Sequence, residues 1–319
     1  MSDTGVTTAV PHSTMRSANV PELNVDELTR RVLTRELATW MKFDPSARDG
    51  SDPEGVHQLR VTSRRLRAEL DVLAPVLDPT AARTLAKELR WIAGVLGRQR
   101  DLDVLHDLLS DLEHEESPFD ESVFARLRRQ RDAERSRVRD ALTQKRYRRL
   151  VSELARWAVS PPLRVRRHRS ARDVLGPRLL KGLSALFSDI DALGPNAPDD
   201  ELHELRIAIK RNRYRSEVAT FAFGSGAADV ARDLAKAQGV LGDLHDCVVA
   251  TDFLRAWSAS RWPVDAEDQG RGPIDAALEE LALRMDELRS AWRAPLAKAR
   301  RRSTVLYLNV EATAPSTDI

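Results

Sequence analysis

The chain has a single cysteine, Cys247, so no disulfide framework holds it together. That usage fits a reducing compartment. It has no apolar run near the roughly 18 residues that a membrane span needs. The opening residues, MSDTGVTTAVPHSTMRSANVP, lack the basic start and apolar centre of a secretory signal, and residues 1–22 read as a disordered tail. Aromatic residues make up 5% of the chain, a poor supply of stacking platforms for bases. No segment of any length alternates apolar and polar residues with the period of a strand. The net charge is only +2, so any strong positive potential has to be local. Catalytic motifs are missing too: no P-loop, no H-E-x-x-H, no nucleophile elbow. His245 and Cys247 stand two apart on a helix and point different ways, so they do not read as metal ligands. No cofactor and no catalytic residue is expected.

What the chain does have is charge, 31% of its residues, beside an ordinary 42% of hydrophobic ones. The abundance of Ala, Leu, Arg and Glu suits long helices. One stretch concentrates a single sign. VHQLRVTSRRLRAEL, residues 56–70, places a histidine and four arginines within eleven residues, with no acid between them. At about 100° per residue, with His57 at 0°, Arg64 falls at about 340°, Arg60 at 300° and Arg67 at 280°. Leu59, Leu66, Leu70 and Leu73 gather around 160–220°. The stretch is an amphipathic helix with a leucine face and a basic stripe opposite. Arg65, at about 80°, stands on the other flank. Asp52-Pro53 supplies its N-cap and first turn. A solvated helix face usually mixes signs so that i,i+4 pairs form. This stripe does not.

The pattern recurs. HELRIAIKRNR, residues 203–213, repeats it 146 positions later. His57 falls on His203, Arg60 on Arg206, Arg64 on Lys210, Arg65 on Arg211 and Arg67 on Arg213. LAKELRWIAGVLGRQRD (85–101) aligns with VARDLAKAQGVLGDLHD (230–246), shifted by 145, so that Gly97 meets Gly242 and Asp101 meets Asp246. The chain is therefore a tandem repeat of two halves. Periodicity and breaks predict helices over 24–43, 53–75, 80–113 and 118–158, a basic connector over 160–175, and helices over 176–193, 199–222, 226–259 and 272–307. The expected fold is all-α: two four-helix bundles in tandem, 23–159 and 176–308, related by a pseudo-twofold axis, with a frayed tail at 309–319.

The paired basic stretches, each followed by a V-L-G…D helix, resemble the CHAD domain, the conserved histidine α-helical domain. KRYRRLVSELARW (145–157) is similar to that family's fourth helix. AQGVLGDLHD (237–246) is similar to its second-half L-Q-x-x-L-G-x-x-x-D element, with Ala237 where leucine is usual. The resemblance covers about 24–308. It implies an all-helical, non-enzymatic module that binds inorganic polyphosphate through basic residues of the paired helices. It also implies a cytoplasmic protein targeted to polyphosphate granules. In some relatives the domain follows a strand-rich triphosphate tunnel domain that carries catalysis. No segment here reads as that partner.

Carried over by position, the polyphosphate-binding set is His57, Arg60, Arg64, Arg65, Arg67, His203, Arg206, Lys210, Arg211 and Arg213. The chemistry suits the residues: arginine's planar fork grips phosphate oxygens in pairs, and lysine supplies a point charge. His57 and His203 lie near helix N-termini, where anions are favoured; the alternative for each is to partner a neighbouring helix end. Asp101 and Asp246 either pair with an arginine of the stripe and orient it, or are solvated acids. Gly97 and Gly242 read as points of close helix contact. Lys145, Arg146 and Arg148 are candidates for the groove rim, and Arg164, Arg166, Arg167 and Arg169 for extending the positive path. Tyr147 and Trp157 read as core. A nucleic-acid or nucleoprotein ligand is the alternative partner, since it offers the same phosphates. No membrane partner is expected.

Overall fold

The computed structural model describes residues 22–113, 119–165, 169–194, 196–261 and 272–311, with side chains as far as Tyr307. The expected N-terminal tail, 1–22, falls almost wholly outside them. Among the described residues there are ten helices and no strand beyond two isolated bridges. The first half holds α1 (Val25–Asp49), α2 (Pro53–Leu73), α3 (Pro79–Asp111), α4 (Glu121–Thr143) and α5 (Lys145–Val159). The second holds α6 (Ala171–Ala192), α7 (Asp199–Phe223), α8 (Ser225–Arg261), α9 (Gly272–Ala291) and α10 (Arg293–Glu311).

Local chemistry explains most of the boundaries. Asp52 caps α2 by accepting the Glu54 N–H, and Asp78 caps α3 by accepting from Thr80 and Ala81, each ahead of a proline that lacks an N–H. Asp120 caps α4, which therefore starts at Glu121 and not at 118. Gly50, at φ 72°, ends α1 in the left-handed conformation that side chains resist. Pro45, in the break expected after residue 43, sits inside α1 instead, and α6 begins at Ala171, ahead of the expected 176, so that Pro177 lies in its second turn. Trp40 and Ala47 are both buried on either side of Pro45, so packing holds both turns. The connector is shortened to residues 160–170. Its backbone is tied down: Val25 N–H donates to the Arg169 carbonyl, and Asp78 N–H to the Pro162 carbonyl.

The expected four helices per half are five. The predicted helix over 118–158 breaks at Gln144, whose ψ of 153° is extended. The cause is a phase change in the apolar pattern. Val138, Ala141 and Leu142 are buried, and so are Tyr147, Leu150, Leu154 and Trp157. In one continuous helix those two stripes would point about 140° apart. The break lets both face the core. There the Trp40 indole N–H donates to the Tyr147 hydroxyl at 2.8 Å, and that hydroxyl donates to Asp44. The predicted helix over 272–307 divides at Trp292, just before Pro295, and the second piece runs on to Glu311.

Nor do the halves keep separate cores. One apolar cluster joins α1, α2, α3 and α5 to Val174 and Leu175 of α6 and Val218 of α7. A second lies within the second half around Leu234 and Trp292. A third is shared, with Leu109 and Leu127 of one half against Leu254 and Leu281 of the other. The duplication is nonetheless visible in the frame. The helix starts Val25, Pro53 and Pro79 recur 146 positions later at Ala171, Asp199 and Ser225. Across the seam α1 meets α6, α2 meets α7 and α3 meets α8. These three helices thus each touch their own counterpart, the contact pattern of an isologous interface.

Candidate anion-binding site between the basic helices

The seam brings α2 and α7 side by side, and Lys210 feels charges from both helices. Its ammonium is pushed down to about 8, first by burial and then by Arg64, Arg206, Arg67 and Arg60. Four guanidiniums, three from α2 and one from its own helix, thus crowd one lysine. Among the described residues Arg64, Arg67, Arg206 and Lys210 make no ion pair and no hydrogen bond. Arg64 is held below its ordinary value by burial, with Tyr214 opposing and then Arg206 lowering it further.

The two halves seat their first arginine alike. Arg60 lies over Gly97, with Nε 3.7 Å from where a Cβ would stand, and Arg206 lies over Gly242 at 3.6 Å. The two glycines are therefore platforms for guanidiniums. Arg60 donates to Asp101 at 2.7 Å, so this aspartate does orient an arginine of the stripe. Asp246 makes no ion pair among the described residues. Burial raises its carboxyl, and the charge of Arg206 opposes that shift.

The histidines border the cluster. His57 is lowered by burial and then by Arg100. The rings of His203 and His245 are 5.1 Å apart, and His245 is lowered by burial, Arg206 and His203. Arg100 and His245 occupy equivalent positions, 145 apart, each beside the half's first histidine. Sequence reasoning missed Arg100 as a site residue, and Arg90, whose charge acts on Arg67. The repeat itself was the signal for Arg100.

Other predicted residues go elsewhere. Arg65 pairs with Glu217 at 3.1 Å and lies 3.8 Å from Glu36; Arg213 pairs with Glu217 at 2.9 Å and bonds Gln238 at 3.2 Å. Arg211 turns to the α6 flank. Arg146 makes two bonds to Glu88 at 2.6 and 3.2 Å and stacks on Trp91, and Arg148 donates to the Thr143 carbonyl, so both are engaged locally. Lys145 is exposed on α5. Arg164 donates to the Pro75 carbonyl at 3.0 Å and Arg169 is exposed, while Arg166 and Arg167 lie outside the described residues.

Behind Arg65 lies an ionic cluster that sequence reasoning missed. Glu36 and Glu69 are fully buried, and Arg35 bonds both. Val32 and Trp40, four residues to either side of Glu36, are buried too, and that apolar company was the signal. Burial, then Glu36, raises Glu69 to about 8, with Arg35 and Arg65 opposing. The folded protein therefore binds more protons than the unfolded chain between about pH 4.5 and 8. Its contribution to stability is complete below the lower value and is lost as pH rises through the upper one. Glu69→Gln, a mimic of the protonated acid, should remove this loss, a difference on the order of 2–4 kcal/mol by pH 8.5. Urea unfolding of parent and variant at pH 5 and 8.5 measures it; parallel pH dependences would contradict it.

Among the described residues no helix is long and apolar enough to cross a membrane, and no group of three or more His, Cys, Asp or Glu is placed to hold a metal ion. The fold is similar to that of the CHAD domain from the plant Ricinus communis, with a TM-score of 0.63 at 23% identity over 90% of this chain and 97% of that one. PptA from Streptomyces chartreusis gives a TM-score of 0.60 at 19% identity over 88% and 100%. Uncharacterized proteins of two Mycobacterium tuberculosis strains, CDC 1551 / Oshkosh and ATCC 25618 / H37Rv, are each 29% identical over 253 residues. Those residues make up 74% of this chain and 46% of theirs, so the chain spans about half the length of these relatives. The family model described as the CHAD domain matches residues 31–255, and the chain belongs to that family.

Proposed function

We propose that the chain binds inorganic polyphosphate along the α2–α7 seam, as a non-enzymatic module. The observation that carries this reading is Lys210 among four arginines, with no acid among the described residues paired to Arg64, Arg67, Arg206 or Lys210 itself. Such a cluster destabilises the empty protein by self-repulsion, and a polyanion relieves it. Rigid helices fix the spacing of the cations, so a repeating anion meets them in register. Arg60, Arg64, Arg67, Arg206 and Lys210 form the centre, with His57, His203, Arg90 and Arg100 around it. A nucleic acid would offer the same charges. Stacking its bases needs accessible rings, and Tyr214, beside Arg64, is buried.

The dimensions set how affinity should depend on chain length. From His57 to Arg67 the stripe runs roughly 15 Å, and two stripes offer a path of about 15–30 Å. A triphosphate touches few of the cations. Each further phosphate engages another without repeating the cost of association. Affinity should climb with chain length until the path is filled and then level off, with ATP and triphosphate binding weakly. Titration with size-fractionated polyphosphate tests this, and equal affinity for triphosphate and a long chain would refute it. The melting temperature should also rise with polyphosphate, less so as salt is added. In cells, this binding would bring the protein to polyphosphate granules. A fluorescent fusion should mark granules, and its Arg64→Glu form should stay diffuse; granule marking by both forms would count against the seam.

A further inference from the structure

We propose a second anion site on the other flank of α7. It is a cavity of about 570 Å³ between α6, α7 and the end of α2, shaped for a small organic phosphate with an apolar body. Four cations line it: Arg178 and Lys181 from α6, Arg211 and Arg215 from α7. No acid lines it. Among the described residues none of the four makes an ion pair, and Arg215 bonds only the Asn212 side-chain oxygen, at 3.2 Å. Elsewhere in the chain helix-surface arginines commonly carry their own acid one turn away, as Arg30 does with Asp26 and Arg232 with Asp229.

The internal duplication shows that this bareness is not imposed by the fold. In the 146-residue register of the helix starts, Arg211 corresponds to Arg65 and Lys181 to Arg35. In the first half Glu36 and Glu69 pair with Arg35, and Glu36 lies 3.8 Å from Arg65, which Glu217 of α7 also holds at 3.1 Å. The counterparts of Glu36 and Glu69 in the second half are Gly182 and Arg215. One acid has become a glycine, the other an arginine. The glycine leaves space that both side chains use: a Cβ on it would stand 2.4 Å from Arg215 Nη1 and 2.5 Å from Asn212 Oδ1, so either side chain would have to shift. It makes room for the guanidinium in the cavity wall. The same frame thus carries a neutralised cluster around α1 and an open set of cations around α6. Such a set repels itself when empty, so what it favours is an anion. Burial, Arg211 and Arg178 all disfavour the charge on Arg215, and Asp71 alone opposes them. Asp71 also acts on Arg67 of the seam, so it stands between the two positive fields.

The remaining lining names the rest of the ligand. Leu175, Pro177 and Leu179 give the cavity an apolar floor. A linear polyphosphate is polar along its whole length and would leave that floor unused. A phosphate head on an aliphatic body uses both. Arginine forks hold the head in pairs, and the floor takes the body out of water.

The test is calorimetric titration of the full chain with two probes, inorganic phosphate and octyl phosphate below its micelle concentration. Octyl phosphate should bind at least tenfold more tightly. Arg211→Ala and Lys181→Ala, both on exposed side chains, should each weaken it at least fivefold. Arg64→Glu should change it less than twofold, so the result does not depend on the seam's own ligand. Sedimentation with phosphatidylcholine vesicles containing phosphatidic acid separates the sources. Capture that Arg211→Ala abolishes assigns the phosphate to a lipid headgroup, and binding of free octyl phosphate without capture assigns it to a soluble molecule. Equal affinity for the two probes would overturn the proposal. So would a loss on Arg64→Glu that Arg211→Ala does not share.

Discussion

Lys210→Met should stabilise the ligand-free protein and weaken polyphosphate binding at least tenfold. The two effects have one cause. Burial and the four arginines around Lys210 make its charge costly, which is why its ammonium loses its proton near pH 8. The folded state then binds fewer protons than the unfolded chain between about 8 and 10.5, so the parent's stability rises with pH across that window. Methionine keeps the apolar stem and omits the charge. At pH 7 it should add on the order of 1–3 kcal/mol, discounted from the full shift because the side chain is half-buried. Its stability should be flat where the parent's climbs. Bound phosphate favours the charged ammonium, so at pH 8.5 the parent should take up protons on binding polyphosphate. Calorimetry in two buffers of different ionisation enthalpy reads that uptake. A variant that is less stable than the parent at pH 7, or an uptake that persists in Lys210→Met, would contradict this account.

Arg64→Glu should reduce polyphosphate affinity about a hundredfold, roughly 2.7 kcal/mol. Arg64 faces Arg206 and Arg213 and is the arginine that acts most strongly on Lys210. Reversal removes one cation and supplies a partner for another, so two charges leave the cluster's reach. The control is Arg135→Glu. Arg135 lies on α4, 3.7 Å from Asp132, on a helix that mixes signs. It should change affinity less than threefold. Fluorescence titration at one salt concentration compares the two. Equal losses would mean that overall charge alone governs binding and that the seam has no special role.

These residues were legible in the sequence to different depths. The basic stripe, its leucine face and its repeat follow from periodicity, because α2 and α7 start 146 apart and α7 continues past the end of α2 as one unbroken helix. The wheel placed Arg65, and with it Arg211, on the flank away from the stripe. It could not say what waits there, because α1 and α6 carry no matching motif. The structure sends Arg65 to Glu36 and Glu217 and leaves Arg211 without an acid. The Gln144 break was readable from the apolar phase, which jumps between Leu142 and Tyr147. The break after residue 43 misled because packing on both sides of Pro45 carries α1 through it. The third core cluster was not legible, since contact between the ends of α3 and α8 depends on how the halves meet.

The central claim is that the α2–α7 seam recognises a chain of phosphates and not a nucleic acid. Competition tests it most directly. A labelled polyphosphate that just fills the path is bound at fixed salt, then displaced by unlabelled polyphosphate or by single-stranded DNA, matched in phosphate concentration. The account predicts displacement by polyphosphate at a concentration at least tenfold lower than by DNA. It also predicts that the difference disappears in Arg64→Glu. Displacement by DNA at the same phosphate concentration would contradict it.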